Sequence, residues 1–173
     1  MEKPDFITYY EAYFERVNRY LRVRVSRTWD ADDLTTIVFT KAYEHYAEYN
    51  PRSSFGSWIF RIAHNTYIDF LRRQREQVAD DQFFNIRADD TWQPEKRAIG
   101  REEMAYLRDC FQCLPDDQRD VLILRFFGEL KIAQIAEVLG KSESAVKMIS
   151  HRGIRRLREL YQASEGGNKN HEG

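Results

Sequence analysis

Hydrophobic residues recur at helical spacing along most of the chain, and the pattern predicts a series of helices. A first helix covers about residues 5–27. A second runs from about Asp33 to Tyr46, after a break at 29–32 whose acidic residues favour a helix start. The Asn-Pro and Ser-Ser pairs within 48–55 indicate a loop, and a third helix follows from about Ser57 to Gln77.

The periodicity is lost over 79–96 and resumes at about Glu95. A new helix start follows at 114–117, with Pro at the expected first helical position and two acids in the first turn. That helix stops at Gly128, and Gly140 separates two further helices. We therefore predict an all-α protein with two small helical domains, at 1–77 and 98–163. A flexible acidic linker at 78–97 joins them, and a disordered tail occupies 164–173.

The predicted third helix has two different faces. Its apolar arc, which we expect to face a core, consists of Ile59, Phe60, Ala63, Tyr67, Phe70 and Leu71. The opposite arc places Trp58 beside Arg61, Asn65, Arg72 and Arg75. A ring beside cations suits single-stranded nucleic acid, because a base stacks on the ring while the cations follow the backbone. The alternative is that Trp58 packs at an edge between helices and the arginines are solvated.

The stretch 132–149 has the spacing of a helix-turn-helix. Ala136 is small where two helices approach, and Gly140 suits the left-handed turn between them. In the second helix Val146, Ile149, Gly153, Leu157 and Leu160 share an apolar face. Basic and polar residues share the other face, where arginines and lysines can reach phosphates or base edges in a major groove. The alternative is a helical hairpin with a solvated basic face.

Composition limits the function classes. The 27 basic and 28 acidic residues leave a net charge of −1, so any nucleic-acid surface must come from segregation of charge rather than from bulk charge. No apolar run approaches the ~20 residues that span a bilayer, and the N-terminus has no targeting pattern. We expect a cytoplasmic protein without membrane insertion.

The sequence contains no clear catalytic or metal-binding pattern. We find no nucleophile elbow, phosphate-binding loop or paired carboxylates, and so expect a non-enzymatic protein without a cofactor. The four histidines are scattered without metal spacing. Cys110 and Cys113 are expected to be buried packing residues, with thiol sensing as the alternative.

Three stretches of the chain carry a family resemblance that spans about Tyr9 to Tyr161. "DADDLTTIVFTKAY" is similar to region 2.2 of the bacterial extracytoplasmic-function (ECF) sigma factors, and "FGSWIFRIAHNTYIDFLRRQR" to their regions 2.3–2.4. The stretch from Leu114 to Leu160 resembles their region 4. The resemblance implies a subunit that directs core RNA polymerase to promoters, melting the −10 element with region 2 and recognising the −35 element with region 4.

The resemblance also implies site residues. Those for the −10 element are Tyr49, Asn50, Ser53, Ser54 and Phe55 in a base-capturing loop, with Trp58, Arg61, Asn65, Arg72 and Arg75 beside it. Those for the −35 element are Lys147, Met148, His151, Arg152 and Arg155. Those for the β′ clamp of the polymerase are Asp32, Asp33, Leu34, Val38, Phe39 and Lys41.

The implied partners are core RNA polymerase, through its β′ clamp and β flap, promoter DNA and an anti-sigma factor. Two departures from the family affect the expected contacts. Thr36-Ile37 stands where the family often has Gln-Glu, and the recognition helix has "VKMISHRGI" where the family commonly has "VKSRLHRAR". The −35 sequence recognised here is therefore expected to be unusual.

Two other function classes compete with this interpretation. One is a conventional helix-turn-helix regulator that binds duplex DNA, with residues 1–90 as a dimerisation or ligand domain. The other is a helical protein-interaction adaptor. The stripe of Trp58, Arg61, Asn65 and Arg72 favours the sigma factor over the regulator, because a duplex-binding regulator has no use for a stacking surface there.

Overall fold

The computed structural model describes residues 3–80 and 98–168, with the side chains at 80, 98–104 and 164–168 left out of the description. Its helices are α1 (Phe6–Arg22), α2 (Thr28–Glu44), α3 (Phe55–Asp80), α4 (Ala98–Gln112), α5 (Asp116–Phe126), α6 (Ile132–Leu139) and α7 (Glu143–Asn168). A 3₁₀ turn at Tyr46–Glu48 lies between α2 and α3. The all-α prediction is confirmed for these residues, and none of their helices is long and apolar enough to cross a membrane.

Most of the predicted linker, at 78–97, lies outside the described residues, so its acidity and flexibility stay predictions. The helix before it is longer than expected, since α3 continues to Asp80. The last helix is also longer. α7 runs through Asn168, so helix replaces the first part of the tail predicted at 164–173, and positions 169–173 are outside the description.

The N-terminal domain is built from α1, α2 and α3, which pack around one apolar centre. Val17, Tyr20 and Leu21 of α1 are buried there. Helix α2 begins at Thr28, which corrects the expected break at 29–32. Ala31 is fully buried in the core, and Asp30 lies in the first turn, where a carboxylate stabilises the helix N-terminus.

Helices α5, α6 and α7 form the predicted helix-turn-helix arrangement. Gly140 ends α6 with a φ of 63°, which confirms the left-handed turn. A side chain on Gly153 would lie 2.7 Å from Leu122 Cδ1, so glycine permits the close approach of α7 to α5. Pro115 lies at the position before α5 rather than in its first turn, because Asp116 is the first helical residue.

The two domains pack directly against each other. Buried residues of both domains form one continuous apolar cluster, from Val17 in α1 to Val146 in α7. The guanidinium of Arg16 donates to the carbonyl oxygen of Gly128 at 2.7 and 3.1 Å. It also donates to the carbonyl oxygen of Glu129, whose φ of 54° places it in the left-handed region. The domains are therefore joined by polar contacts at the rim of a shared core.

A buried polar cluster lies at this junction. Arg24, whose side chain is 2% exposed, pairs with Asp120 of α5 at 2.7 Å. The Arg24 guanidinium also lies over the rings of Tyr20 and Tyr67, at 4.6 and 4.8 Å from their centres. The hydroxyl of Tyr20 is 3.2 Å from Nδ1 of His64. Burial lowers the pKa of His64, Asp120 raises it and Arg24 lowers it, and the net shift is downward.

Gly153→Val is expected to lower the free energy of unfolding by about 1–3 kcal/mol, because the added methyl groups overpack fully buried Leu122. Urea unfolding followed by circular dichroism measures the change. Ser144→Val, at an exposed position of the same helix, is the control and is expected to change stability by less than about 0.5 kcal/mol. Equal stability of the two variants would contradict the close packing described here.

Acidification is expected to destabilise the protein through His64. Its pKa is lower in the folded chain than the value of about 6.5 in an unfolded chain, so protonation favours unfolding. The contribution of neutral His64 to the free energy of unfolding is complete above about pH 6.5 and is lost as the pH falls below that value. Urea unfolding at about pH 7.5 and 5.5 should show a smaller loss for His64→Gln than for the wild type. An unchanged His64→Gln profile would contradict the assignment.

Candidate nucleic-acid interface

The loop before α3 is held by its own hydrogen bonds. The carbonyl oxygen of Asn50 accepts from the amide and hydroxyl of Ser53, at 3.0 and 2.8 Å, and its side-chain oxygen accepts from the amide of Arg52. Ser54 Oγ accepts from the amide of Ser57 at 3.3 Å, which satisfies a free donor at the start of α3. Asn50 and Ser53 are exposed, so the loop presents polar groups on an ordered frame.

Aromatic rings lie beneath and beside this loop. Phe55 is 4% exposed and stacks on Tyr9, with ring centres 3.9 Å apart. Tyr49 is 5% exposed, donates its hydroxyl to the Ser53 carbonyl oxygen, and has its pKa raised chiefly by burial. Phe55 and Tyr49 therefore support the loop from below, and their rings are not open surfaces for a base.

Trp58 partly fits both alternatives that the sequence leaves open, a stacking surface for a base and a packing residue between helices. It is half-buried and packs against the core, with its ring centre 5.0 Å from Tyr49 and 5.3 Å from Phe55. Half-burial anchors the indole while leaving part of it accessible. Trp58 is thus both a packing residue at the edge of the aromatic cluster and a partly exposed ring at the start of α3.

The basic face predicted for α3 is present. Arg61, Asn65, Arg72 and Arg75 are all exposed, and Arg72 pairs with Asp69 one turn earlier at 3.1 Å. The opposite face agrees with its predicted core role. Ile59, Phe60 and Ala63 are fully buried, Tyr67 is 7% exposed, and Phe70 and Leu71 pack partly buried against the core.

The C-terminal domain covers the start of this face. The side-chain amide of Gln134 in α6 donates to Ser54 Oγ at 2.6 Å. The guanidinium of Arg61 donates to the carbonyl oxygen of Glu137 at 2.8 Å. Helices α3 and α6 also approach each other closely here, since a side chain on Gly56 would lie 3.0 Å from the side-chain nitrogen of Gln134. Asn65, Arg72 and Arg75 lie farther along α3.

The face predicted for the −35 element is open. Its side chains are all exposed: Lys147, Met148, His151, Arg152 and Arg155. On the packed side, Val146 is fully buried and Ile149, Leu157 and Leu160 are partly buried, as predicted. Ser150, which takes an expected apolar position, is 1% exposed and accepts a hydrogen bond from Arg125 at 2.6 Å.

The prediction for the clamp-binding face of α2 needs correction. Three of its residues, Leu34, Val38 and Phe39, are at most 5% exposed and belong to the core, so their side chains are not available for docking. Of the others, Asp32 and Asp33 are exposed, and Lys41 is half-buried with its amine 3.3 Å from Thr66 Oγ1. The surface of α2 instead consists largely of Trp29, Asp33, Thr36, Ile37, Thr40 and Tyr43.

The cysteines differ from expectation. Cys110 is half-buried and Cys113 is exposed, and both thiols are free, so the prediction of two buried packing residues is wrong for Cys113. Cys113 lines an open groove with Arg152, Arg155 and Arg156. Within residues 3–80 and 98–168 no group of three or more histidine, cysteine or acidic side chains could hold a metal.

Sequence reasoning missed the polar residues that join the elements. Gln134 and Arg125 are polar residues on helices whose sequence signal comes from their apolar positions. Arg24 and Asp120 are far apart in the chain, and neither stands in a local pattern that indicates its partner. A signal existed for Ser150, because a small hydroxyl at a core position of a helix requires a hydrogen-bond partner.

Comparison with known proteins assigns both domains. The sigma-70 region 2 model matches residues 9–77, and the sigma-70 region 4 model matches residues 110–159. RNA polymerase sigma factor YlaC of Bacillus subtilis is 32% identical over 154 residues, which cover 87% of this chain and 88% of that protein. The ECF RNA polymerase sigma factor SigM of Bacillus subtilis is 28% identical, over a match that covers 88% of this chain and 92% of that protein.

Another relative is longer than this chain. The ECF RNA polymerase sigma factor BldN of Streptomyces coelicolor is 29% identical over 161 residues, which cover 92% of this chain and 61% of that protein. The chain therefore matches less than two thirds of the length of BldN.

Two solved structures share the fold. CnrH in complex with the cytosolic domain of CnrY has a TM-score of 0.71 at 22% identity, covering 91% of this chain and 88% of that one. The sigma factor RpoE from Bartonella quintana, in complex with the anti-sigma factor NepR, also has a TM-score of 0.71. It is 20% identical, and the match covers 91% of this chain and 97% of that one. With α1–α3 matched by region 2 and the helix-turn-helix by region 4, this chain belongs to the RNA polymerase sigma factors, in their extracytoplasmic-function group.

Proposed function

We propose that this sigma factor brings core RNA polymerase to promoters by using two different DNA-facing surfaces in one chain. The start of α3 and the loop before it melt the −10 element and capture one strand. The exposed face of α7 recognises the duplex of the −35 element. The observation that carries the proposal is this pairing of an exposed basic recognition helix with a separate face that joins aromatic rings to arginines.

The geometry around Trp58 supports strand capture. A partly exposed indole offers a stacking surface, which contributes on the order of 1–3 kcal/mol per base. Exposed Asn50 and Ser53 offer polar groups for a flipped base, and Arg61, once released from Glu137, offers a cation for the backbone. The aromatic cluster beneath keeps the loop in place, so little ordering is needed when a strand binds.

The packing beneath α7 supports duplex recognition. Leu122 against Gly153, and Arg125 hydrogen-bonded to Ser150, hold the helix from its buried side. Lys147, Arg152 and Arg155 then project from a fixed frame toward phosphates or guanine edges. Met148, 52% exposed, adds an apolar contact for a thymine methyl group.

We assign docking on the polymerase β′ clamp to the exposed face of α2 rather than to its buried residues. Ile37 and Tyr43 are 40% and 68% exposed and, with exposed Trp29, they group apolar surface on one helix, as interaction sites do. Asp33 lies on the same face and supplies charge. Region 4 would meet the β flap.

The proposed role requires no chemistry by the chain itself, since it positions a catalytic enzyme on DNA. The proposed partners, core polymerase and promoter DNA, lie in the bacterial cytoplasm, and we propose the same location for this chain. An anti-sigma factor is a further proposed partner. RpoE, a fold neighbour, was solved with the anti-sigma factor NepR, which supports this partner by analogy of fold.

Reconstitution tests the proposed function. The purified chain is added to core RNA polymerase with genomic fragments, and promoter-specific transcripts are expected. Trp58→Ala should reduce strand opening, measured by permanganate reactivity of unpaired thymines, while binding to core stays largely intact. Equal loss of both would show that Trp58 acts as a packing residue. Absence of both transcripts and a complex with core would overturn the proposal.

A second experiment separates docking from folding on α2. Ile37→Lys should weaken binding to core polymerase at least about tenfold, the equivalent of about 1.4 kcal/mol, without changing stability. Leu34→Ala should instead lower the free energy of unfolding by about 2–5 kcal/mol, because Leu34 is buried. Gln74→Lys, at an exposed position of α3, controls for the added charge. Fluorescence anisotropy with labelled protein measures binding, and unchanged affinity for Ile37→Lys would contradict this docking face.

A further inference from the structure

A small pocket, here called the junction pocket, lies where the two domains meet. Its volume is about 300 Å³. Its polar and aromatic lining comes from both domains and consists of Arg24, Tyr67, Arg108, Phe111, Gln112 and Arg119. None of these residues belongs to the proposed DNA or polymerase surfaces, so the function proposed above leaves the pocket unexplained.

The lining of the junction pocket is positively charged. Within the described residues it contains three arginines and no carboxylate. Arg24 is paired with Asp120 at 2.7 Å, yet its buried Nε has no hydrogen-bond partner in the described part of the chain. Arg108 donates to the neutral carbonyl oxygen of Arg22 at 3.4 Å, and no carboxylate among the described residues forms an ion pair with it. The lining therefore keeps donor groups and positive charge that an anion would neutralise.

The third arginine is held in place by the end of α4. Arg119 donates to the carbonyl oxygens of Phe111 and Leu114 at 3.0 and 2.9 Å. Its ion pair with Asp116, at 3.3 Å, involves a carboxylate that is 92% exposed, and such pairs contribute little. A guanidinium that is already fixed loses little conformational freedom when an anion binds. Gln112, also in the lining, is exposed, so solutes can reach the pocket.

The three arginines determine which ligand the junction pocket takes. Guanidinium groups bind oxyanions through paired N–H donors, and a phosphate offers more acceptor oxygens and more charge than a carboxylate. A volume of about 300 Å³ lies at the lower limit of small-molecule sites, which suits a small molecule rather than a nucleic-acid strand. We propose that the junction pocket binds a small phosphate-bearing anion through Arg24, Arg108 and Arg119. The site does not depend on promoter recognition, and it goes beyond the function proposed above.

Calorimetric titration of the full chain tests the proposal. Inorganic phosphate, pyrophosphate and a nucleoside 5′-monophosphate are titrated separately in about 0.15 M chloride, which screens weak surface attraction. At least one of them is expected to bind with a Kd below about 1 mM. Tighter binding of the nucleoside monophosphate would identify a phosphate ester as the ligand class, and tighter binding of the other two would identify a free inorganic phosphate. A Kd above about 1 mM for all three would overturn the proposal.

Substitutions at two positions of the lining show whether the anion binds in the junction pocket. Arg108→Gln removes one cation and should weaken binding at least about tenfold, because a charge-assisted hydrogen bond is lost. At the exposed Gln112, Gln112→Glu should weaken binding and Gln112→Lys should tighten it, each at least about threefold, since the added charges have opposite signs. Arg156→Gln, in a separate groove beside α7, is the matched control and should shift the affinity less than about twofold. Unchanged affinity for Arg108→Gln, or a shift in the same direction for both Gln112 variants, would overturn the proposal.

Stability gives a second readout of the same site. A ligand that binds the folded chain alone raises the midpoint of urea unfolding, and the rise at about 10 mM phosphate should be smaller for Arg108→Gln than for the wild type or Arg156→Gln. Phosphate also stabilises proteins in general, so the difference between variants carries the result. An equal rise in all three proteins would contradict the site. Circular dichroism checks that each variant keeps its helices, and if Arg108→Gln does not fold, the opposite effects of the two Gln112 variants decide.

Discussion

The buried pair of Arg24 and Asp120 is the interaction on which the arrangement of the two domains depends most. An arginine side chain that is only 2% exposed needs a counter-charge, and α5 of the other domain supplies it. Removing one partner of such a pair typically costs about 3–5 kcal/mol, because a charge is left buried alone. The rings of Tyr20 and Tyr67, with centres 4.6 and 4.8 Å from the guanidinium carbon, further limit where Arg24 can go. The pair therefore fixes how the helix-turn-helix sits on α1–α3.

The domain junction combines apolar and polar contacts. The apolar cluster continues across it, since a side chain on Gly128 would lie 2.9 Å from the ring of Phe60. Around this apolar contact, several bonds run from arginine side chains to backbone carbonyl oxygens, as with Arg61 on Glu137. Bonds with a charged donor contribute about 1.5–3 kcal/mol each, because they replace bonds to water. The junction therefore depends on both kinds of contact.

Sequence patterns predicted the helix faces well and the contacts between domains not at all. The core arc of α3 follows from periodicity, since Ile59 and Phe60 can be buried only on one side of a helix. Leu34, Val38 and Phe39 were assigned to the polymerase surface because a family motif, given as a run of letters, does not separate its buried from its exposed positions. The bond from Arg16 to Gly128 had no signal, because it joins residues 112 positions apart and ends on a carbonyl oxygen that every residue has.

The hydrogen bond between Ser150 and Arg125 constrains how relatives of this chain can diverge. Ser150 is 1% exposed in the packing between α5 and α7, and the exposed side chain of Arg125 reaches its hydroxyl at 2.6 Å. Loss of the arginine removes this partner from a buried hydroxyl, whereas exchange of the serine for an apolar residue leaves an arginine that water can solvate. An arginine is therefore expected where a relative keeps the serine, and it is not required where an apolar residue replaces the serine. Such an exchange would alter the support of the recognition helix while leaving its DNA-facing residues the same.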